Sequence, residues 1–146
     1  MILNSIYALM ATFSFGILFN IRGKKLIFAC MGGGVGWLCL LLLQEKFKLS
    51  PTFSLFAASI MIGIYSEVMA RVLKSPVTTF AVCAIIPMVP GNGMYYTMYE
   101  SINGNVSKAL STGIQTLASA GAIAVGIVLV SSGTKIFNVK KATNNL

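Results

Sequence analysis

A chain of 146 residues with a net charge of +8 is 56% hydrophobic, only 10% charged, and has a mean hydropathy of +0.83. No soluble domain of this size needs so much apolar surface, so the composition excludes a soluble protein and points to one all-α transmembrane domain over 1–146. The charge does not point to nucleic acid, because the Lys and Arg residues lie between apolar segments and at the C-terminal end, as membrane topology determinants do.

Five spans are expected. The first, about 3–21, has no basic leading region and no small-residue cleavage site, and is read as a retained span, not a signal peptide. Arg22, Lys24 and Lys25 stop it. The second, about 26–43, holds Gly32, Gly33, Gly34 and Gly36. Ala29/Gly33 and Gly32/Gly36 are small residues four apart, which let helix backbones approach closely. A phosphate loop is the lesser reading: its Lys-Ser/Thr is missing and the cluster lies mid-span. Residues 44–50 form a short polar loop, and Pro51-Thr52 suits the first turn of a third helix over about 53–73. Ser75-Pro76 ends that helix. The fourth span, about 77–102, is expected to be discontinuous at 87–93 and to resume at Met94. Asn103-Gly104-Asn105 signals a turn. The fifth span covers about 109–136, with Ala118, Ala122 and Gly126 as a close-packing stripe. Residues 138–146 read as a polar, basic tail.

With five crossings, one side holds eight basic residues: Arg22, Lys24, Lys25, Arg71, Lys74, Lys135, Lys140 and Lys141. The other holds three, Lys46, Lys48 and Lys108. The positive-inside rule then places the N-terminus outside and the C-terminus in the cytoplasm. If 77–102 re-entered without crossing, the split would fall to six against five, so a crossing is favoured.

The stretch IIPMVPGNGMYYTMY, 85–99, carries the most information. Pro87 and Pro90 each remove a backbone donor and clash with the preceding turn. Gly91 and Gly93 permit angles a helix does not use. Unwound backbone survives in a bilayer only where protein covers it or where it lines a polar cavity, and broken membrane helices commonly form transporter sites. Pro87, Pro90, Gly91, Asn92, Gly93, Tyr95 and Tyr96 are therefore the candidate substrate-binding residues. The resumed helix would offer free N–H groups to a carboxylate. The competing readings are a packed subunit contact and, for Tyr95, Tyr96 and Tyr99, an interfacial aromatic belt.

Only three acidic residues exist, Glu45, Glu67 and Glu100, and there is no His or Asp. Glu67 and Arg71 are four apart on one helix face, near its cytoplasmic end. They form either an ion pair near the interface or a gating or proton-coupling site. Glu100 shares a face with Tyr96 and Asn92. A solvated helix end is the favoured reading for it, and gating is the alternative. Cys30, Cys39 and Cys83, an odd number without CxxC, read as packing residues. No nucleophile–base set, metal cluster or cofactor motif is present in the sequence. An enzyme is not expected, and no cofactor or metal is called for.

The run Ser66-Glu67-x-x-Ala70-Arg71, then Pro76, then Ile86-Pro87-x-Val89-Pro90-Gly91 and Tyr95, resembles the threonine/serine exporter family. The PxxPG element with its following Tyr is the most specific part, and Glu100 lies outside the pattern. The resemblance implies a small separate subunit equivalent to the C-terminal half of longer members, lying in the bacterial inner membrane. It implies export of threonine or serine, driven by the proton gradient as in an antiporter, with a larger multi-span partner. Some split members are linked to dicarboxylate export, so a succinate-type substrate stays open. A homo-oligomer, or a structural subunit supporting a substrate-binding partner, also stays open.

Overall fold

A computed structural model describes the backbone of residues 2–143 and the side chains of residues 3–135. Lys140 and Lys141, counted above toward topology, have their side chains outside the described residues. The described chain is all-helical: α1 (Ile2–Leu18), α2 (Lys24–Glu45), α3 (Pro51–Val72), α4 (Val77–Ile85), a 3₁₀ turn (Ile86–Met88), α5 (Gly91–Ile102) and α6 (Val106–Thr143). Three helices, α2, α3 and α6, are long and apolar enough to cross a membrane, and a fourth crossing is possible if α4 and α5 count as one bent span. At about 1.5 Å per residue, the 17-residue α1 is near 25 Å long, short of a hydrocarbon core of about 30 Å.

Local chemistry explains most boundaries. Ser50 is the N-cap of α3, its hydroxyl accepting from the Phe53 N–H at 3.4 Å, and Pro51 follows at the first helical position. Pro76 stands at the N-cap of α4, after Lys74 has turned the chain at φ 46°. The turn before α6 uses Gly104 at φ 78°, a left-handed angle that costs glycine nothing. The last helix overruns the expected limits of 109 and 136 at both ends. No Pro or Gly interrupts 138–143, so composition alone gave no reason for the backbone to stop.

Small residues set the packing. A methyl group at Gly33 would fall on Thr12 of α1, one at Gly32 on Tyr65 of α3, and one at Gly36 on Ile62 of α3. The glycine cluster is a packing face, and it is used up within this chain. Tyr65 ties α3 to α2 by donating to the Phe28 carbonyl at 2.7 Å. Two apolar layers fill the bundle. Leu40, Leu55, Ala58, Ile62, Ala84, Met88 and Ile123 form one; Ala29, Ala70, Phe80 and Cys83 form the other.

The stripe expected on the last span is shifted. Gly126 packs against Ser59, but Ala118 is exposed and Ala122 only half-buried. The buried face of α6 runs instead through Ala109, Thr116, Ser119, Ile123 and Gly126. Gly126 lies against Ser59, and Val130 against Gly63, so both helices advance in the same direction and α3 and α6 are parallel. α5 folds back antiparallel on the start of α6, with Gly93 against Thr116 and Thr97 against Gly113.

Candidate functional site

α4 ends at Ile85, and Ile86–Met88 tighten into a 3₁₀ turn. Val89 is extended, with φ −56° and ψ 130°. Pro90 then stands at the N-cap of α5, and the two helical pieces meet at 50°. The cause is local. Proline supplies no N–H at 87 or 90, and the residue before each proline is driven out of the helical region or into a tighter turn.

Two details differ from the expectation. The helix resumes at Gly91, three residues before Met94. Neither Gly91 nor Gly93 has positive φ, so neither turns the chain aside. Gly93 is required for space, because a Cβ there would strike the Thr116 hydroxyl of α6. A Cβ at Gly91 would meet nothing.

At the start of α5, the Gly91 N–H bonds the Val89 carbonyl at 2.7 Å and the Met94 N–H bonds that of Pro90 at 3.1 Å. Pro90 has no side chain able to cap the amides between them. The structure does not gather the seven predicted residues into one pocket. Pro87 lines a cleft of about 360 Å³ together with Asn4, Tyr7, Ala8 and Ala11 of α1 and Trp37 of α2. Gly93 faces α6. Tyr95 and Tyr96 stand 63% and 48% exposed on the outer side of α5, their rings edge to face at 5.4 Å. Sequence reading assigned nothing to Asn4, Tyr7 or Trp37. Their polar groups, within otherwise apolar spans, were the available signal.

Glu67 and Arg71 do meet. Arg71 Nη2 donates to Glu67 Oε2 at 3.3 Å, with the glutamate side chain 14% and the arginine 52% exposed. Beside Glu67, Ser66 is fully buried and its hydroxyl has no partner among the described residues.

Glu100 corrects the expectation of a solvated helix end: it is the buried residue of α5, 6% exposed. Its carboxylate accepts from Asn105 Nδ2 at 2.8 Å and from Lys108 Nζ at 2.6 Å. The turn at Gly104 brings the first turn of α6 back onto the last turn of α5, so two residues eight apart become an ion pair. Tyr96 and Asn92, expected on the same face as Glu100, remain exposed.

The family model described as Threonine/Serine exporter, ThrE matches residues 4–132. The chain belongs to the threonine/serine exporter family. A curated member named threonine/serine exporter, from Corynebacterium glutamicum, is 30% identical over 81 residues. That stretch is 56% of this chain and 17% of the relative, so the chain spans only a small part of that protein's length. No solved structure matches significantly. The bent element, the Glu67–Arg71 pair and the packed glycines all lie within the matched region.

Proposed function

We propose that this chain is a membrane subunit exporting small amino acids of the threonine/serine type, as an antiporter driven by the proton gradient and together with a larger partner. Membership of the exporter family over residues 4–132 carries this reading. In it the chain forms a single five-span domain in a bacterial inner membrane, N-terminus outside and C-terminus inside. α1 is the short first span, accommodated by local thinning of the bilayer. α4 and α5 together make one bent, discontinuous crossing. The parallel course of α3 and α6 supports that, since a chain leaving α3 at one face must return to the other before starting a parallel helix.

Substrate engages the break. The amides at the α5 N-terminus, with the positive end of its dipole, suit a carboxylate. The carbonyl that Pro87 leaves without its helical donor suits an ammonium, whereas the one left by Pro90, that of Ile86, already accepts from the Val89 N–H at 3.2 Å. A dicarboxylate is the poorer fit, because Arg71 and Lys108 are each already tied to a glutamate. One observation favours a purely structural role for part of the chain. Tyr95, Tyr96 and Tyr99 form an exposed aromatic face on a helix that packs principally on α6, as a contact for a partner would.

Isotope efflux tests the reading. Cells expressing the chain with its partner are preloaded with labelled threonine, serine or succinate. Threonine and serine should leave faster than from cells lacking the chain, and collapse of the proton gradient should remove the difference. Acceleration of succinate alone would overturn it.

A further inference from the structure

The chain has one tryptophan, and it stands in a cleft to which no role is assigned. We propose that the cleft between α1, α2 and the Pro87 turn is a binding subsite for a small amino acid of zero net charge. The proposal rests on the exporter reading and adds to it the wall contributed by α1.

The volume, about 360 Å³, lies at the lower end of the range for small-molecule pockets, as a ligand of a few heavy atoms requires. Ala8, Ala11 and Pro87 give an apolar surface suited to a methyl or methylene group. Asn4 and Tyr7 supply an amide and a phenol, and neither makes a hydrogen bond to another described residue. The Trp37 indole N–H is shielded from solvent and has no acceptor among the described residues. A buried donor left in that state is costly, and a ligand that turns the indole toward the cleft relieves it. Asn4 and Tyr7 present donors to the cleft directly and Trp37 once turned, which suits an oxygen of the ligand, its hydroxyl or its carboxylate.

The lining contains no Lys, Arg, Asp or Glu. A dianion would lie there uncompensated, whereas a zwitterion brings its own counter-charge. Position fits as well. Trp37 is eight residues before the end of α2 at Glu45, about 12 Å along the axis. In the proposed topology that is the outer half of the bilayer, where Pro87 interrupts the neighbouring helix.

The single tryptophan makes the test direct. The full chain in lipid nanodiscs is titrated with L-threonine, L-serine and succinate while Trp37 emission is followed. Threonine and serine should give a saturable change and succinate none. Asn4→Ala and Tyr7→Phe should each raise the half-saturation concentration about five- to tenfold, the loss of one hydrogen bond. Ala11→Leu, which fills the cleft, should abolish the response with helix content unchanged by circular dichroism. In cells carrying the partner, Asn4→Ala and Tyr7→Phe should raise KM for threonine export more than they lower kcat.

A response to succinate equal to that with threonine would overturn the assignment to a net-neutral ligand. Normal threonine export by all three folded variants would overturn the subsite while leaving the exporter reading intact. Absence of threonine export by the unaltered chain with its partner would remove both.

Discussion

At the scale of single residues, two ion pairs that look alike in composition differ in what they do. Glu67 and Arg71 are one turn apart on α3, and Arg71 is half exposed. Such a pair is worth about 0.5 kcal/mol. Glu67→Gln and Arg71→Gln should therefore each lower thermal stability slightly. The double variant should fall short of additivity by about that amount in a double-mutant cycle. Coupling of several kcal/mol would point to a buried network that the geometry lacks. Spacing of four made this pair legible in the sequence. The Glu100–Lys108 pair was not legible, because a turn lies between its members and only folding reveals that α5 and α6 are antiparallel. Glu100 is joined to both Lys108 and Asn105, so Glu100→Ala should unfasten the hairpin end. Faster amide exchange over 100–109, with exchange in α2 and α3 unchanged, would show this. Unaltered exchange at the turn would mean that the clasp holds nothing.

At the scale of elements, the glycines separate by what surrounds them. Gly33 lies so close to Thr12 that an added methyl must displace α1. Gly33→Ala should cost about 1–3 kcal/mol, as overpacking of a close contact does. A methyl at Gly121 meets nothing, and Gly121→Ala should be neutral or stabilising by up to about 1 kcal/mol through helix propensity. Thermal denaturation of the two variants in one detergent gives the comparison, and equal effects would refute the packing account of α2. That packing role was readable from small residues four apart. The role of Gly93 was not: its neighbour, Thr116, is on a helix that begins after the next turn. The end of α4 and the tight turn at Ile86–Met88 were readable because proline acts locally, whereas the angles of Gly91 and Gly93 depend on tertiary contacts and were misjudged.

At the scale of the whole molecule, the direction of α6 relative to α3 bears most on topology. Gly126 is twenty residues into α6, while its contact, Ser59, is eight into α3. The start of α6 therefore reaches about twelve residues, roughly 18 Å along the axis, beyond that of α3. The α5–α6 hairpin carries Met94, Tyr95, Tyr96, Met98, Tyr99 and Ile102 on an exposed face. Hydropathy made the all-helical, membrane-spanning character legible, and three of the five expected spans are helices long and apolar enough to cross, four if the bent pair counts as one. The projection was not legible, because it depends on the register of one helix on another. With five crossings, a reporter fused after Leu146 should be active only in its cytoplasmic form, and one inserted at Gly104 only in its external form. The reverse pattern would overturn the orientation, and both reporters active on the same side would overturn α6 as a crossing.

The proposed function is outward movement of small amino acids. Intracellular threonine and serine, measured in cells fed threonine- and serine-containing dipeptides, test it most directly. Cells lacking the chain should accumulate both, and restoring the chain should return them to the parental level. Unchanged threonine and serine pools, with another metabolite accumulating in their place, would contradict it.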